Sequence, residues 1–115
     1  MERKVILEWA KVNLVPNNVK IFRTEINAHI EFSNSGIKEA INQPHSHYIL
    51  KNRAIYDIIS LLQTSEYIGS AIDLKGRCLS FHYFKIPING EESFAVIKEN
   101  YDNTFKFYSI VDKLK

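Results

Sequence analysis

The alternation of apolar and polar positions divides the chain into a helical middle and a β-rich end. Between Glu25 and Phe32, the residues Ile26, Ala28, Ile30 and Phe32 hold one parity, and Asn27, His29 and Glu31 hold the other. Period two with one wet face predicts a strand. Ser33-Asn34-Ser35-Gly36 follows, and side chains of this kind accept the orphan N–H groups of a helix start. A short helix over 36–42 buries Ile37, Ala40 and Ile41, and Pro44 ends it. A longer helix opens at Ser46 or His47 and runs to about Gln63, with Ile55, Ile58, Ile59 and Leu62 at three- and four-residue spacing. Tyr48 and Leu50 or Lys51 extend that stripe backwards, while Lys51, Arg53 and Asp57 are expected to meet water.

The last third reads as strands. A short one over 70–74 turns at Lys75-Gly76. The segment 78–88 is apolar on both parities, the mark of a strand inside its sheet, and Pro87 belongs near its end because proline cannot donate to a ladder. Asn89-Gly90 is a two-residue hairpin signal. Strands over 93–99 and 104–111, joined through Tyr101-Asp102-Asn103, complete the series. The fold class expected is α+β: a strand and two helices followed by an antiparallel β-meander of about four strands. The opening stretch 4–15 suits either a strand or a short helix and breaks at Pro16-Asn17-Asn18. No linker composition appears, so 1–115 is read as a single domain, with 1–25 an N-terminal extension or an edge element.

Composition narrows the chemistry. A chain of 115 residues buries roughly two-thirds of its unfolded surface and folds without disulfide or metal. Hydrophobic and charged fractions of 45% and 24% exclude disorder. A net charge of +2 is too mild to imply nucleic-acid binding, yet it permits it. The lone cysteine, Cys78, can form neither an internal disulfide nor a cysteine-rich zinc site, and it reads as a small core residue. The start Met1-Glu2-Arg3-Lys4-Val5-Ile6-Leu7-Glu8 has no sustained apolar run. Neither signal peptide nor membrane span is therefore expected, and a cytoplasmic setting is the default.

Four histidines carry the remaining interest. His45-Ser46-His47 has no nearby acid or cysteine in sequence to complete a metal set, so it reads as a solvated helix start, with no metal and no cofactor expected. His82 sits among aromatics in Phe81-His82-Tyr83-Phe84-Lys85; desolvation there would keep a neutral imidazole available as a base. The bland alternative is a core histidine satisfied by a hydrogen bond. His29 lies on the polar face of its strand. Two histidines and a lysine suffice to cleave RNA without metal: one imidazole takes the 2′-hydroxyl proton, another protonates the leaving oxygen, and a cation steadies the phosphorane. Lys85, Lys98 and Lys51 are candidates for the cation, and Tyr83, Tyr108 and Ser109 for positioning phosphate. No P-loop, dinucleotide fingerprint, nucleophile elbow or zinc-protease helix is present in the sequence.

From Ile30 onward, one sequence of motifs resembles a known group. Ile30-Glu31-Phe32-Ser33-Asn34-Ser35-Gly36-Ile37-Lys38-Glu39-Ala40 comes first, then Leu61-Leu62 with Glu66-Tyr67. Phe81-His82-Tyr83-Phe84-Lys85, Phe94-Ala95-Val96-Ile97-Lys98-Glu99 and Phe105-Lys106-Phe107-Tyr108 follow. The series resembles the nuclease-like domains of phage and mobile-element polyproteins grouped with the barnase–EndoU–colicin–RelE fold, a circle that includes the large polyvalent protein-associated domains. The resemblance implies a metal-independent endoribonuclease-like domain. His82 would be its acid or base, Lys98 its phosphate clamp, and Tyr83 and Tyr108 supporting groups; His29 lies before the resembling stretch and would join His82 in one cleft if their strands pair. Ser109-Ile110 stand after Tyr108 where the group leads one to expect an acid and a histidine, which favours the alternative: a non-catalytic protein-binding module, for example one acting against host defence. RNA and a protein are the two partners considered.

Overall fold

The computed structural model describes residues 2–16 and 18–114. Its elements are α1 (Glu2–Asn13), β1 (Ile21–Arg23), β2 (Ala28–Glu31), α2 (Asn34–Asn42), α3 (Tyr48–Arg53), a 3-10 turn (Ala54–Asp57), α4 (Ile58–Thr64), β3 (Glu66–Ile72), β4 (Ser80–Ile88), β5 (Glu91–Glu99) and β6 (Phe105–Val111). The strands form one six-stranded sheet in the order β1-β2-β6-β5-β4-β3. All pairs are antiparallel except β2 with β6.

The expected four-strand meander is the larger part of this sheet, β3 to β6, but it understates the whole. The chain brings β6 back alongside β2 in parallel, Ile30 opposite Phe105 and Glu31 opposite Lys106. This joins the β1–β2 hairpin to the meander and makes the sheet mixed. β1 was not anticipated, because three residues leave too little alternation to recognise. The predicted strand over 25–32 shortens to Ala28–Glu31, since Asn27 turns the hairpin with a positive φ of 50°. At Asn89-Gly90 the hairpin signal is realised as read: φ values of 55° and 73° suit a type I′ turn.

Helices cover one face. In α1 and at the turn that follows it, Ile6, Ala10 and Leu14 recur every four residues and point inward, so the opening segment is a helix. Ile37, Ala40 and Ile41 of α2 and Ile55, Ile58 and Leu62 of the bent third unit meet Phe84, Ile86, Ile97, Phe107 and Ile110 of the sheet. Each of these isoleucine, leucine and phenylalanine side chains, fully buried, contributes about 1.5–3 kcal/mol. The single helix predicted from Ser46 or His47 to Gln63 is broken by the 3-10 turn into α3 and α4. Lys51, expected toward water, is fully buried. β3 begins at Glu66 rather than near Ser70.

α2 lies against β6 so closely that a β-carbon on Gly36 would collide with the Phe107 carbonyl oxygen. A register shift between Val96 and Ile97 opposite this point lets both Phe107 and Ile110 reach the core. Among the described residues, no helix is long and apolar enough to cross a membrane.

Candidate functional site

Strand alternation decides where each candidate group goes. On β4, Phe84 and Ile86 enter the core, so His82 shares their face while Phe81, Tyr83 and Lys85 point to the opposite face, free of helices except at its β6 edge, where the start of α2 reaches it. Tyr83 lies across from Val96, and Phe81 across from Lys98, which in turn faces Lys106 on β6. The Lys98 ammonium lies 5.1 Å from the Tyr108 ring centre, and the Phe81 and Tyr108 rings are 5.9 Å apart. Lys98 has no carboxylate partner among the described residues, whereas Lys106 is bound to Glu31 at 2.9 Å. A cavity of about 220 Å³ runs along Phe81, Tyr83, Tyr108 and Ser109. A second, of about 200 Å³, opens between Lys98, Lys106 and Tyr108 on the sheet and the start of α2, with the Ser33 and Ser35 hydroxyls and the Glu39 carboxylate on its wall. Burial pushes the phenols of Tyr83 and Tyr108 up, so both remain hydrogen-bond donors at neutral pH.

His82 belongs to a different assembly. It is 8% exposed, and both ring nitrogens are engaged: Nδ1 with Ser70 Oγ at 2.5 Å and Nε2 with Glu99 Oε1 at 2.8 Å. Because the carboxylate can only accept, Nε2 carries the proton, and the Ser70 hydroxyl donates to Nδ1 while accepting from Tyr67 at 2.5 Å. Ser80 donates to the same Glu99 oxygen at 2.9 Å, and Phe105 lies against the imidazole. This is a closed chain of satisfied groups. A base needs an open lone pair, and neither nitrogen offers one.

His29 takes the face opposite the core, its ring tilted by 60° against that of Phe22 with centres 5.0 Å apart, because Ile30 beside it enters the core. Three strand spacings, roughly 14 Å, separate its strand from that of His82, and the sheet lies between them. Of the five sequence candidates, Tyr83, Lys98 and Tyr108 converge, His29 stands on the same face at its edge, and His82 is on the other side.

The loop read as a solvated helix start is a polar cluster of partly buried histidines. The His47 backbone N–H donates to His45 Nδ1 at 2.8 Å, so the neutral ring carries its proton on Nε2 and donates it to Ser93 Oγ at 2.8 Å. Desolvation lowers the His45 pKa, opposed mainly by Asp112, which accepts from Ser46 N–H. His47 Nε2 meets Glu91 at 2.6 Å, and the two imidazoles are 6.1 Å apart. Sequence reading missed the partners because Glu91, Ser93 and Asp112 arrive from β5 and the end of β6. Among the described residues, no cluster of three metal-ligating side chains could hold an ion.

A sequence model of the family described as large polyvalent protein-associated domain 3 matches residues 1–108. The chain belongs to that family. No curated protein and no solved structure matches it. This is the polyvalent-protein half of the resemblance drawn from Ile30 onward; its nuclease half is a proposal. The matched residues include those of α1. In this polyvalent protein-associated domain, the sheet face opposite the core offers stacking surfaces, phenolic donors and an ammonium. Its histidines other than His29 are each tied to serine or carboxylate partners.

Proposed function

We propose that this domain is an RNA-binding module of a phage or mobile-element polyvalent protein, and that it holds single-stranded RNA on the face of its sheet opposite the core. The observation that carries the reading is the convergence of Phe81, Tyr83 and Tyr108 with Lys98, whose ammonium has no described carboxylate partner. Every base has a π-face, and stacking on an aromatic side chain is worth about 1–3 kcal/mol per base. The ammonium pairs with phosphate. Binding is favoured over cutting because the groups needed for proton transfer are elsewhere: His82 is closed off behind the sheet, and Glu31 beside His29 is held by Lys106.

A second reading, metal-independent cleavage, is favoured by the His45–His47 pair. Glu91 orients His47 so that Nδ1, only 3.5 Å from the Asn89 amide, is the more open nitrogen. Against it, Glu91 and Asp112 flank the same loop and repel a phosphate.

The test is fluorescence anisotropy of a labelled single-stranded RNA in EDTA, with cleavage followed on the same samples. Lys98→Ala and Tyr108→Ala should each weaken binding by roughly five- to hundredfold, the range for one stacking or phosphate contact. No binding by the unmodified protein, or binding indifferent to both variants, rejects the RNA reading. Cleavage abolished by His47→Gln would establish the second reading instead.

A further inference from the structure

The two edges of the sheet are managed differently. β1 is three residues long with the exposed Lys20 just before it, a short edge that offers little ladder to a second strand. β3 is seven residues long, Glu66-Tyr67-Ile68-Gly69-Ser70-Ala71-Ile72, and has a neighbour on one side only. It contains no proline, lysine or arginine. Its apolar side chains are turned outward: Ile68 is 42% exposed, Ile72 75%, and Leu74 just beyond it 95%. A neutral edge with exposed isoleucines presents unpaired backbone N–H and C=O groups to any matching strand.

We infer that β3 pairs with the β3 strand of a second copy of this chain, antiparallel about Ser70. The strand is self-complementary in that register. Ser70 meets Ser70, Gly69 meets Ala71, and Ile68 meets Ile72, so small residues lie opposite small and β-branched opposite β-branched. No charged residue falls within the paired segment 68–72, and Glu66 lies outside it, so like charges are not brought together. Ile68 is the extra residue of the bulge between Tyr67 and Gly69, so the regular ladder spans 69–71 and Ile68 of each copy closes its end against Ile72 of the other. The hydrogen bonds of Ser70 Oγ to Tyr67 and His82 are side-chain bonds within one chain and leave its outward backbone groups for the ladder. The product is a continuous twelve-stranded sheet in which the two faces opposite the cores lie side by side. The inference does not depend on what those faces bind.

Sedimentation analysis over a range of concentrations tests it. The protein should run at twice its chain mass of 13.4 kDa, and Ile68→Lys/Ile72→Lys, which sets lysine against lysine at both flanks, should run at the chain mass with an unchanged circular dichroism spectrum. The register has its own test. Ile68→Cys/Ile72→Cys should form a reducible covalent dimer, whereas Ile72→Cys alone should not, because identical positions then lie about 13 Å apart along the ladder. A wild-type monomer at all concentrations, or a dimer that survives the lysines, overturns the interface. Cross-linking by the single variant, or none by the double, overturns the register.

Discussion

Lys51 places an ammonium where water does not reach. Its side chain is fully buried, and Nζ donates to the carbonyls of Ala40 at 2.6 Å and Ile41 at 3.0 Å, with the Tyr48 ring centre 4.5 Å away. Those carbonyls belong to the last turn of α2, which has no basic residue of its own, so a lysine from α3 supplies the cation that this end of a helix dipole attracts. Burial, and after it repulsion from Arg3, pulls the Lys51 pKa from 10.5 down to about 8. A shift of that size means the charged form is disfavoured in the folded state by about 3 kcal/mol relative to the unfolded chain. The sign follows from proton counts. Below pH 8 both states hold the proton and the penalty is complete. Between about 8 and 10.5 the folded chain has released a proton that the unfolded chain keeps, so stability rises with pH. The neutral amine still has two hydrogens for its two carbonyls. Lys51→Met removes the titration while keeping length. Urea unfolding of both proteins at pH 7.5 and 9.5 should show the wild type gaining about 2 kcal/mol relative to the variant, other titrations cancelling in the comparison. A relative gain under about 0.5 kcal/mol would refute the claim that this ammonium is buried and charged at neutral pH.

Gly36→Ala drives a methyl into the Phe107 carbonyl and should lower stability by about 1–3 kcal/mol in chemical denaturation, the usual range for overpacking; a neutral result would mean α2 is free to move off β6. Arg23 donates to Leu62 O at 2.7 Å and Ser65 Oγ at 2.6 Å, grips Glu25 with two nitrogens, and lies 4.6 Å from the Phe84 ring centre. Arg23→Met should therefore cost about 2–4 kcal/mol, most of it from buried acceptors left unpaired, with a loss below about 1 kcal/mol counting against that account. Burial acts to raise the Asp73 pKa, but bonds from Arg77 and from the Lys75, Cys78 and Arg77 backbone N–H groups outweigh it and hold the carboxyl at about 2. The stability Asp73 supplies is present above the ordinary aspartate range and is lost as pH falls toward 2, so thermal melts of Asp73→Asn should show a shallower acid decline than wild type.

Local pattern alone located the amphipathic stripe of Ile55, Ile58 and Leu62, the Asn89-Gly90 turn and four strands in the last third, the first of them begun at Ser70 instead of Glu66, because periodicity and turn chemistry are properties of a few adjacent residues. It also placed Tyr83, Lys98 and Tyr108 on strands, with alternation enough to assign faces once the core parity was known. What it left undecided depends on partners distant in the chain. β1 exists because β2 pairs with it and with β6. Lys51 is buried because α2 ends above it. His82 is closed because Ser70 and Glu99 reach it from the neighbouring strands, and His45 and His47 acquire Ser93 and Glu91 from β5. A polar side chain looks the same in sequence whether it will be solvated or satisfied in the interior. Only the packing of elements tens of residues apart decides which hydrogen bonds replace water, and with them which groups are free to act.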